Sequence, residues 1–374
     1  MKKIFLTVIA LLSMASASVF GMYGVDTDWI FFLTHGNQFR ARLDQLGFTL
    51  GNDTIKGTFG FDNNTSFGGQ YGAMLSHNST ANVSGDDYNW VPSISMGIGY
   101  TSSVIGIGVG YNATIGAERY RAKENGKMGN EVTHTPVLVL NALDNAFRMA
   151  IPIQVFVKNQ EVGGVKQKEE AVSVDSQFRY YTGLDILPQV RLYLRYGNYS
   201  KDNNGTKDKA ESFGFDFRLY FGSVVEEVTL NPIVRLVYNG ALGKQHNKSR
   251  VQAVNAMNGD YNTFTRAWET SAWDVKLLTA LGLTANSDIV SLYFEPSLGL
   301  DITQSGNATQ KVKETYGLAY DVYAEIYITP LKNLEWYFEA SIGNMAQYNN
   351  NSTSSVKALS FAGTTGITWY LPQL

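Results

Sequence analysis

Hydrophobic and polar residues alternate one by one along many segments of this chain from about residue 90 onward. In residues 211–221, Phe213, Phe215 and Phe217 fall on one face, and glycine and aspartate stand between them. Residues 188–199 and 315–329 follow the same rule. A helix would spread such residues over both faces, whereas a strand sorts them into two. The pattern therefore predicts a chain built of many β-strands.

The connections between these segments alternate between short and long. The short ones fall at 101–103, 143–146, 185–187, 222–225, 286–288 and 330–333. The long polar ones fall at 78–92, 116–131, 159–172, 200–210, 241–269, 304–314 and 348–355. Barrels of the outer membrane have short turns at the periplasmic end and long loops at the other. We therefore predict an all-β fold, a transmembrane up-and-down antiparallel β-barrel with short periplasmic turns and long extracellular loops.

The number of strands depends on the region before residue 91. Counting back from the C-terminus gives 13 clear strands from 91–101 to 356–371. An odd number must precede them if both ends of the barrel are periplasmic, because such barrels have an even number of strands. Residues 40–77 provide either one bent strand or several. We predict 14 strands, with 16 as the alternative.

Residues 104–115 alternate glycine with apolar residues. The spacing Gly-x-Gly-x-Gly superficially resembles a dinucleotide-binding loop, but no helix follows it and no acidic residue stands at the usual distance. Glycine on the inner face of a curved sheet explains the pattern. The segment therefore predicts a strand and no cofactor site.

The N-terminus divides the chain into three parts. Lys2 and Lys3 precede a short apolar run that ends in small residues, as in a secretory signal peptide. We expect cleavage after Ala17 or Gly21, so residues 1–21 form the signal peptide. Residues 22–39 then form an N-terminal lead-in or a segment in the lumen, and 40–374 form the barrel.

Composition removes several classes of function. The chain has no cysteine, a formal charge of −3 and only 17% charged residues. There is thus no disulfide framework, and nothing suggests a nucleic-acid partner. The four histidines, His35, His77, His134 and His246, share no ligand spacing, so we predict no metal site and no cofactor. No motif surrounds them, and we expect no enzyme activity and no catalytic residue.

Aromatic residues crowd the segment ends and predict girdles at the level of the lipid headgroups. They are Trp90, Tyr100, Tyr199, Tyr238, Trp336, Tyr337, Trp369 and Tyr370. The last strand, 361–371, resembles the insertion signal of bacterial outer-membrane proteins, although the chain ends in Leu374 where phenylalanine is usual. The expected partners are therefore outer-membrane lipid and the outer-membrane assembly machinery.

The inward faces of the predicted strands carry charge of both signs in separate parts of the chain. The basic arc consists of Arg148, Arg179, Arg191, Arg195, Arg218 and Arg235. The acidic arc consists of Glu295, Asp301, Asp321, Glu325, Glu335 and Glu339. Such arcs would set up a field across a pore that orients solutes and sets ion preference. Alternatively, the charges only face water or pair with neighbours such as Asp216 and Lys276.

The opening of the mature chain resembles a known family. The segments that carry the resemblance are Met22-Tyr-Gly-Val-Asp-Thr-Asp-Trp29, Phe32-Leu-Thr-His-Gly-Asn-Gln-Phe-Arg-Ala-Arg-Leu-Asp-Gln-Leu-Gly-Phe-Thr-Leu50 and Gly51-Asn-Asp-Thr-Ile-Lys-Gly-Thr-Phe-Gly-Phe61. They are similar to the variable surface proteins of intestinal spirochaetes. The resemblance implies a surface-exposed antigen of the bacterial outer membrane whose loops vary between paralogues.

Two functions remain open at this point. The first is a porin-like passive channel that is also a major variable surface antigen and takes part in antigenic variation. The second is an adhesin or antigen scaffold with a closed or plugged barrel. In either case host surfaces or antibodies would meet the loops, above all the loop 241–269 with Lys244, His246, Lys248, Arg250 and Arg266. Association into a homo-oligomer also stays open.

Overall fold

The computed structural model describes residues 27–42, 45–63, 92–115, 130–162, 164–225, 228–242, 273–304, 314–344 and 360–374. The predicted signal peptide and the loop 241–269, apart from its first two residues, lie outside these ranges. Within them, no helix is long and apolar enough to cross a membrane.

The described residues form seventeen β-strands and one short 3-10 helix, Thr27–Phe31. The strands are β1 (Gln38–Arg42), β2 (Gln45–Gly51), β3 (Ile55–Asn63), β4 (Pro92–Tyr100), β5 (Ile105–Ile115), β6 (Asn130–Ala142), β7 (Phe147–Val162), β8 (Val165–Tyr181), β9 (Gln189–Asn203), β10 (Thr206–Tyr220), β11 (Ser223–Val225), β12 (Val228–Ala241), β13 (Trp273–Asn286), β14 (Val290–Gln304), β15 (Thr315–Leu331), β16 (Leu334–Gly343) and β17 (Ser360–Tyr370).

The sheet closes on itself. Neighbours in the chain pair antiparallel, and the last strand returns to the first, with Phe39 opposite Trp369 and Arg42 opposite Gly366. The short β11 continues β10, since both pair with β12. Counted in this way, the described strands make a closed antiparallel barrel of 16. Closure pairs both edges of every barrel strand and leaves no open sheet edge.

The favoured count of 14 strands is wrong, and the alternative of 16 is confirmed. The difference lies in residues 38–63, which form three strands, β1 to β3, where the favoured count assumed one. β1 has only five residues and β2 only seven. Membrane strands usually have about 9–11 residues, so two such short strands read in sequence as parts of a single bent element.

Two long loops predicted from polarity are also wrong, because most of their residues lie in strands. Residues 159–172 belong mainly to β7 and β8, and residues 200–210 belong mainly to β9 and β10. Asn204 and Gly205 alone connect the second pair, with φ of 53° and 90°. Two consecutive positive φ angles at Asn-Gly are the signature of a tight hairpin turn, which extends the ladder to the tip.

The described connections at the other end of the barrel are short, as predicted. They include 52–54, 101–104, 143–146, 287–289 and 332–333. The chain end also lies here, since the Leu371 amide donates to the carbonyl of Asn37 at 2.8 Å. We call this end the short-turn end. The predicted turn at 222–225 differs in detail, because its last three residues form β11.

The two faces of the wall differ in polarity. Along β5, Ile105, Ile107 and Val109 point outward and are 40–54% exposed, whereas Asn112 and Thr114 point inward and are buried. The same alternation places apolar side chains outside and polar side chains inside around the ring. This is the reverse of a soluble domain, in which apolar residues are the buried ones.

The aromatic residues predicted for an outer girdle do not all lie on the outer face. Tyr100, Trp336 and Trp369 point outward and are half-exposed. Tyr199 and Tyr337 point into the barrel and are buried, so they contribute to no outer girdle. The period of two decides this, because nearness to a strand end does not by itself set the face on which a residue falls.

Candidate functional site in the barrel lumen

A short apolar segment lies inside the barrel near the short-turn end. It begins with the 3-10 helix and leads to Asn37, immediately before β1. Trp29, Ile30 and Phe32 are completely buried. We call residues 27–37 the plug. It falls within the part of the chain for which the sequence suggested a lead-in or a lumen segment.

The inner faces of β4 and β5 receive the plug because their inward residues there are glycines. A Cβ atom on Gly110 would come within 2.3 Å of the Trp29 ring, and one on Gly97 within 2.7 Å of the same ring. A Cβ on Gly99 would meet Leu33 at 2.4 Å. Contacts this short are forbidden, so the glycines of residues 104–115 serve close packing as well as curvature.

The plug also joins opposite walls. Its buried apolar residues form one cluster with Val137, Val139 and Ala150 of β6 and β7 and with Tyr337 of β16. Tyr327 of β15 packs against that cluster. Strands β6 and β16 lie nearly half the ring apart. The plug therefore reaches across the bore at this level.

Positive side chains hold the polar end of the plug. Arg148 Nη1 donates to Thr34 Oγ1 at 3.2 Å, and the Arg179 guanidinium lies 4.3 Å from the centre of the Phe31 ring. The Lys56 ammonium donates to the carbonyl of His35. Burial lowers the pKa of His35 well below its usual value, and nearby positive charges, Arg40 first among them, lower it further.

Five of the six arginines predicted as a basic arc stand side by side. Each is the direct cross-strand partner of the next, in the order Arg148, Arg179, Arg191, Arg218 and Arg235. They belong to β7, β8, β9, β10 and β12. We call this set the arginine row. The sixth, Arg195, lies outside it, opposite Asp175 and bonded to that carboxylate at 3.1 Å.

Aromatic rings cover four guanidinium groups of the row. Arg148 lies over Tyr181 at 4.8 Å, Arg191 over Tyr220 at 4.3 Å and Arg218 over Tyr193 at 4.7 Å, each measured to the ring centre. Arg179 lies over Phe31, as described above. Stacking of this kind holds the face of a guanidinium group in place, and the N–H groups in its plane can still donate hydrogen bonds.

A buried carboxylate sits at one end of the row. Asp216 is 0% exposed and accepts from Arg218 Nη2 at 2.7 Å and from Arg235 Nε at 3.0 Å. The sequence also allowed that lumen charges pair with neighbours such as Asp216, and Arg218 and Arg235 do form ion pairs with it. Lys276 is 3.7 Å from Asp274.

The acidic residues lie on β14, β15 and β16, on strands that carry none of the arginine row. Glu325 and Glu339 face each other directly, while Glu295 stands opposite Tyr323 and Asp321 opposite Ser297. Glu335 lies nearer the short-turn end of β16, and Asp301 lies toward the far end of β14, opposite Lys276 and Gly317. One strand, β13, separates the two charged regions on one side of the ring.

The acidic residues are hydrogen-bonded mainly to hydroxyl groups. Tyr323 donates to Glu325, and Tyr293 donates to Glu295. Other partners include Tyr370 Oη, which donates to Glu335 at 3.2 Å, Ser341 Oγ, which donates to Asp321 at 3.1 Å, and Thr303 Oγ1, which donates to Asp301 at 3.3 Å. Arg42 Nη2 donates to Glu339 at 2.9 Å. Among the described residues, no group of three or more His, Cys, Asp or Glu side chains could hold a metal ion.

Comparison with known proteins identifies the family. The family model described as Serpulina hyodysenteriae variable surface protein matches residues 2–272 and 260–370, which covers nearly the whole chain. The chain belongs to this variable surface protein family. The resemblance drawn from residues 22–61 is thereby confirmed.

Other comparisons add little to the family match. No curated protein matches this variable surface protein. Among solved structures it is similar to the translocator domain of autotransporter NalP from Neisseria meningitidis. The identity is 11%, the match covers 90% of this chain and 89% of that chain, and the TM-score is 0.31. The fold given above depends on the strand pairing and not on this likeness.

Sequence reasoning missed several residues of this lumen. Arg40, Arg42 and Lys56 lie in the region whose strands were uncertain, so their inward direction was not foreseen. Alternation within β1 and β3 is the signal that would have found them. His134 lies on the outer face of β6, hydrogen-bonded to Tyr111. His77 and His246 lie outside the described residues, as do the five basic residues named in the loop 241–269.

Proposed function

We propose that this variable surface protein spans the bacterial outer membrane and conducts small ions through its charged lumen. We call the end of the barrel opposite the short-turn end the long-loop end, and we propose that it is displayed at the cell surface as an antigen. The observation that carries the proposal is the inverted wall, apolar outside and polar inside. On β15, Leu318 and Ile326 are exposed outside, while Asp321 and Glu325 point inward.

The outer face has the chemistry of a surface in contact with lipid. A closed barrel satisfies its backbone hydrogen bonds internally, which a hydrocarbon environment requires. Aromatic side chains such as Trp336 and Trp369 on the outer face suit the headgroup level. Contiguous exposed apolar surface of this extent is rare on soluble monomers and marks a membrane or partner contact.

The lumen has the chemistry of an aqueous path. Arg195 on β9 and Arg218 on β10 line it with side chains that are 30% and 21% exposed, and Asp321 on β15 points inward. Arg191, Asp216 and Glu325 are buried within the same wall. Charged rings and clusters in a pore set ion preference through their field. The strands on which these groups lie, β9, β10 and β15, extend beyond the level of the plug, so the charged surface is not confined to one end.

We propose that the long-loop end faces outward. The first strand, β1, begins at the short-turn end, and the last strand, β17, ends there. Outer-membrane barrels place their short turns in the periplasm. The hairpin tip at Asn204 and Gly205 would then project from the cell and meet antibodies or host surfaces. We propose no catalytic role for this protein.

Two measurements test location and conduction separately. Protease treatment of intact cells should cleave a tag inserted between Asn204 and Gly205 and spare one inserted at 332–333, in the opposite turn. Recovery of the chain only in soluble fractions would refute the membrane assignment. Refolded protein in planar bilayers should give discrete conductance steps.

The plug supports a second candidate, a sealed antigen scaffold. Its apolar residues contact walls on both sides of the bore, as the cluster with Val139 and Tyr337 shows. A sealed barrel would present loops without passing solutes. Liposome swelling and bilayer recording distinguish the candidates: tight vesicles and silent bilayers favour the scaffold, whereas ion steps favour the channel.

A further inference from the structure

We infer that two small groups of accessible charge, and not the whole basic and acidic arcs, set the ion preference of the lumen. The first group is Asp216, Arg218 and Arg235, which we call the triad. The second is Glu295 and Asp321, which we call the acidic pair. This inference rests on the proposed function, because it names the residues that distinguish anions from cations in the same aqueous path.

Burial removes several charges of the two arcs from contact with a passing ion. Arg179, Arg191 and Glu325 are only 3%, 2% and 1% exposed. In the triad, by contrast, the Arg218 and Arg235 side chains are 21% and 34% exposed. Coulomb energy falls with distance, and physiological salt screens it over about 8 Å. Charges that an ion can touch therefore have more influence on it than charges behind other side chains.

Pairing cancels some of the accessible charges. Arg195 lies 3.1 Å from Asp175, and Lys276 lies 3.7 Å from Asp274, so each of these cations has a carboxylate beside it. Two opposite charges at such a distance largely cancel for an ion farther away. These pairs are therefore expected to attract neither sign of ion strongly.

The triad keeps one positive charge in excess. Its single carboxylate, Asp216, is 0% exposed and is shared by two guanidinium groups. Arg218 Nη2 donates to it at 2.7 Å, and Arg235 Nε donates at 3.0 Å. The part of the triad that meets water consists of guanidinium groups, so this side of the lumen presents positive charge.

The acidic pair has hydroxyl partners and no cation. Ser341 donates to Asp321 and Tyr293 donates to Glu295, and neither carboxylate forms an ion pair with any other described residue. Both are partly exposed and point into the lumen. A hydroxyl donor stabilises a carboxylate without neutralising it, so this side presents negative charge.

The triad and the acidic pair flank one strip of the wall. Arg235 on β12 lies opposite Leu278 on β13, and Asp321 on β15 lies opposite Ser297 on β14. These outer strands are three spacings apart, roughly 14 Å along the wall. The inward residues of the strip at this level carry no charge: Leu278, Ala280, Ser297 and Gly299. An anion is therefore drawn to one border of the strip and a cation to the other.

The test compares an accessible charge with a buried charge of the same sign. Arg235→Gln takes one positive charge from the triad and leaves Arg218 bonded to Asp216. Arg191→Gln takes away an arginine that is 2% exposed. Reversal potentials in planar bilayers under a potassium chloride gradient give the permeability ratio of potassium to chloride. That ratio should rise about threefold in Arg235→Gln and less than about 1.5-fold in Arg191→Gln.

The acidic side is tested in the opposite direction. Asp321→Asn should lower the ratio of potassium to chloride about threefold, because it removes an accessible negative charge. Conducting channels whose ratio changes in neither Arg235→Gln nor Asp321→Asn refute the inference and leave the channel intact. Equal shifts in Arg235→Gln and Arg191→Gln also refute it, because net lumen charge would then set the preference. Silent bilayers refute the channel and its ion preference together.

A second measurement does not depend on conduction. The chain has no cysteine, so Arg235→Cys and Asp321→Cys each carry a single thiol. In detergent-solubilised barrels, whose folding is checked by heat-modifiable migration in gels, both thiols should react with a small charged thiol reagent. Leu278→Cys, at a position that is 2% exposed, should stay unmodified. An unreactive thiol at position 235 or 321 of the folded barrel would refute the inference whatever the bilayers show.

Discussion

Two parts of the inner wall differ although their outer faces are alike. The inner faces of β4 and β5 carry glycines where they meet the plug, and Gly110 lies directly under the Trp29 ring. The inner faces of β14 to β16 carry tyrosines and carboxylates, such as Tyr323 and Glu325. Outside, both parts present aliphatic and aromatic side chains.

The difference shows that the residue types on the two faces of each strand are determined by different surroundings. The outer face is uniform because its surroundings are uniformly apolar in the proposed membrane. The inner face varies because each stretch matches what fills the lumen beside it. On β4 and β5 the plug approaches so closely that only glycine fits, whereas β14 to β16, the acidic wall, provide hydroxyl groups as hydrogen-bond donors to their carboxylates. Substitutions in the two parts should therefore have different effects.

The largest effect is expected where the plug packs against Gly97, Gly99, Gly108 and Gly110 of β4 and β5, which we call the glycine wall. Trp29→Ala should lower the free energy of unfolding by about 3–5 kcal/mol, because it leaves a cavity where a fully buried ring was packed. Denaturant unfolding of the refolded barrel measures it. Trp336→Ala removes the same side chain from the outer face and should cost less. Equal losses would show that the plug contributes no core packing.

On the acidic wall, the corresponding test removes a charge. Arg42 is bonded to Glu339 at 2.9 Å, and their side chains are only 5% and 8% exposed. Arg42→Gln should cost about 1.5–3 kcal/mol, because Glu339 and Glu325 then face each other without that cation. Unfolding in denaturant measures this loss as well.

The control for Arg42 is an exposed ion pair. Lys168 and Glu170 are joined at 2.5 Å, and both side chains are 52% exposed. Lys168→Gln should cost about 0–1 kcal/mol, since exposed pairs are screened by water and salt. A larger loss at Lys168 than at Arg42 would contradict the view that the acidic wall is an enclosed environment.

Adding a single methyl group on each wall, by changing a glycine to alanine, gives the most direct comparison of the two walls. Gly110→Ala places a Cβ 2.3 Å from the Trp29 ring, whereas Gly317→Ala on β15 meets nothing nearer than a carbonyl at 3.9 Å. Overpacking should cost about 1–3 kcal/mol at the first position and much less at the second. Quenching of tryptophan fluorescence reports whether the plug has moved. Similar quenching and stability in both variants would contradict close packing at Gly110.

The sequence predicts the wall of this barrel better than its contents. Strand faces follow from a period of two, so the inward direction of Arg191 and Glu325 could be read from alternation alone. The side-by-side order of the arginines could not be read in this way, because it depends on the register between strands. Register is set by turn geometry and packing over the whole ring.

The plug shows a second limit of sequence analysis. Trp29 and its neighbours are apolar without a period, so the pattern gives neither a strand nor a partner surface. Their match to Gly97 and Gly110 joins residues that are distant in the chain, and no local rule connects them. The count of strands failed for a related reason, since β1 and β2 are held by pairing with β17 and β3 more than by their own length.

The last effect concerns the polar end of the plug and depends on pH. Burial, together with the positive charges of Arg40, Lys56, Arg148 and Arg179, lowers the pKa of His35 in the folded protein well below its usual value of 6.5. The unfolded chain then binds a proton that the folded chain does not. The contribution of His35 to the free energy of unfolding is therefore complete above pH 6.5. It decreases on acidification below that pH, by at most about 1.4 kcal/mol per pH unit.

His35→Gln removes the titration but keeps a polar side chain, so it should flatten this part of the profile between pH 7.5 and 5. The measurement is the difference in unfolding free energy between the natural protein and the variant at each pH, which cancels the carboxylates common to both. A difference that stays constant with pH would show that His35 ionises alike in both states. The plug would then lack the pH sensitivity that its positive surroundings confer, and the glycine wall would hold it by packing alone.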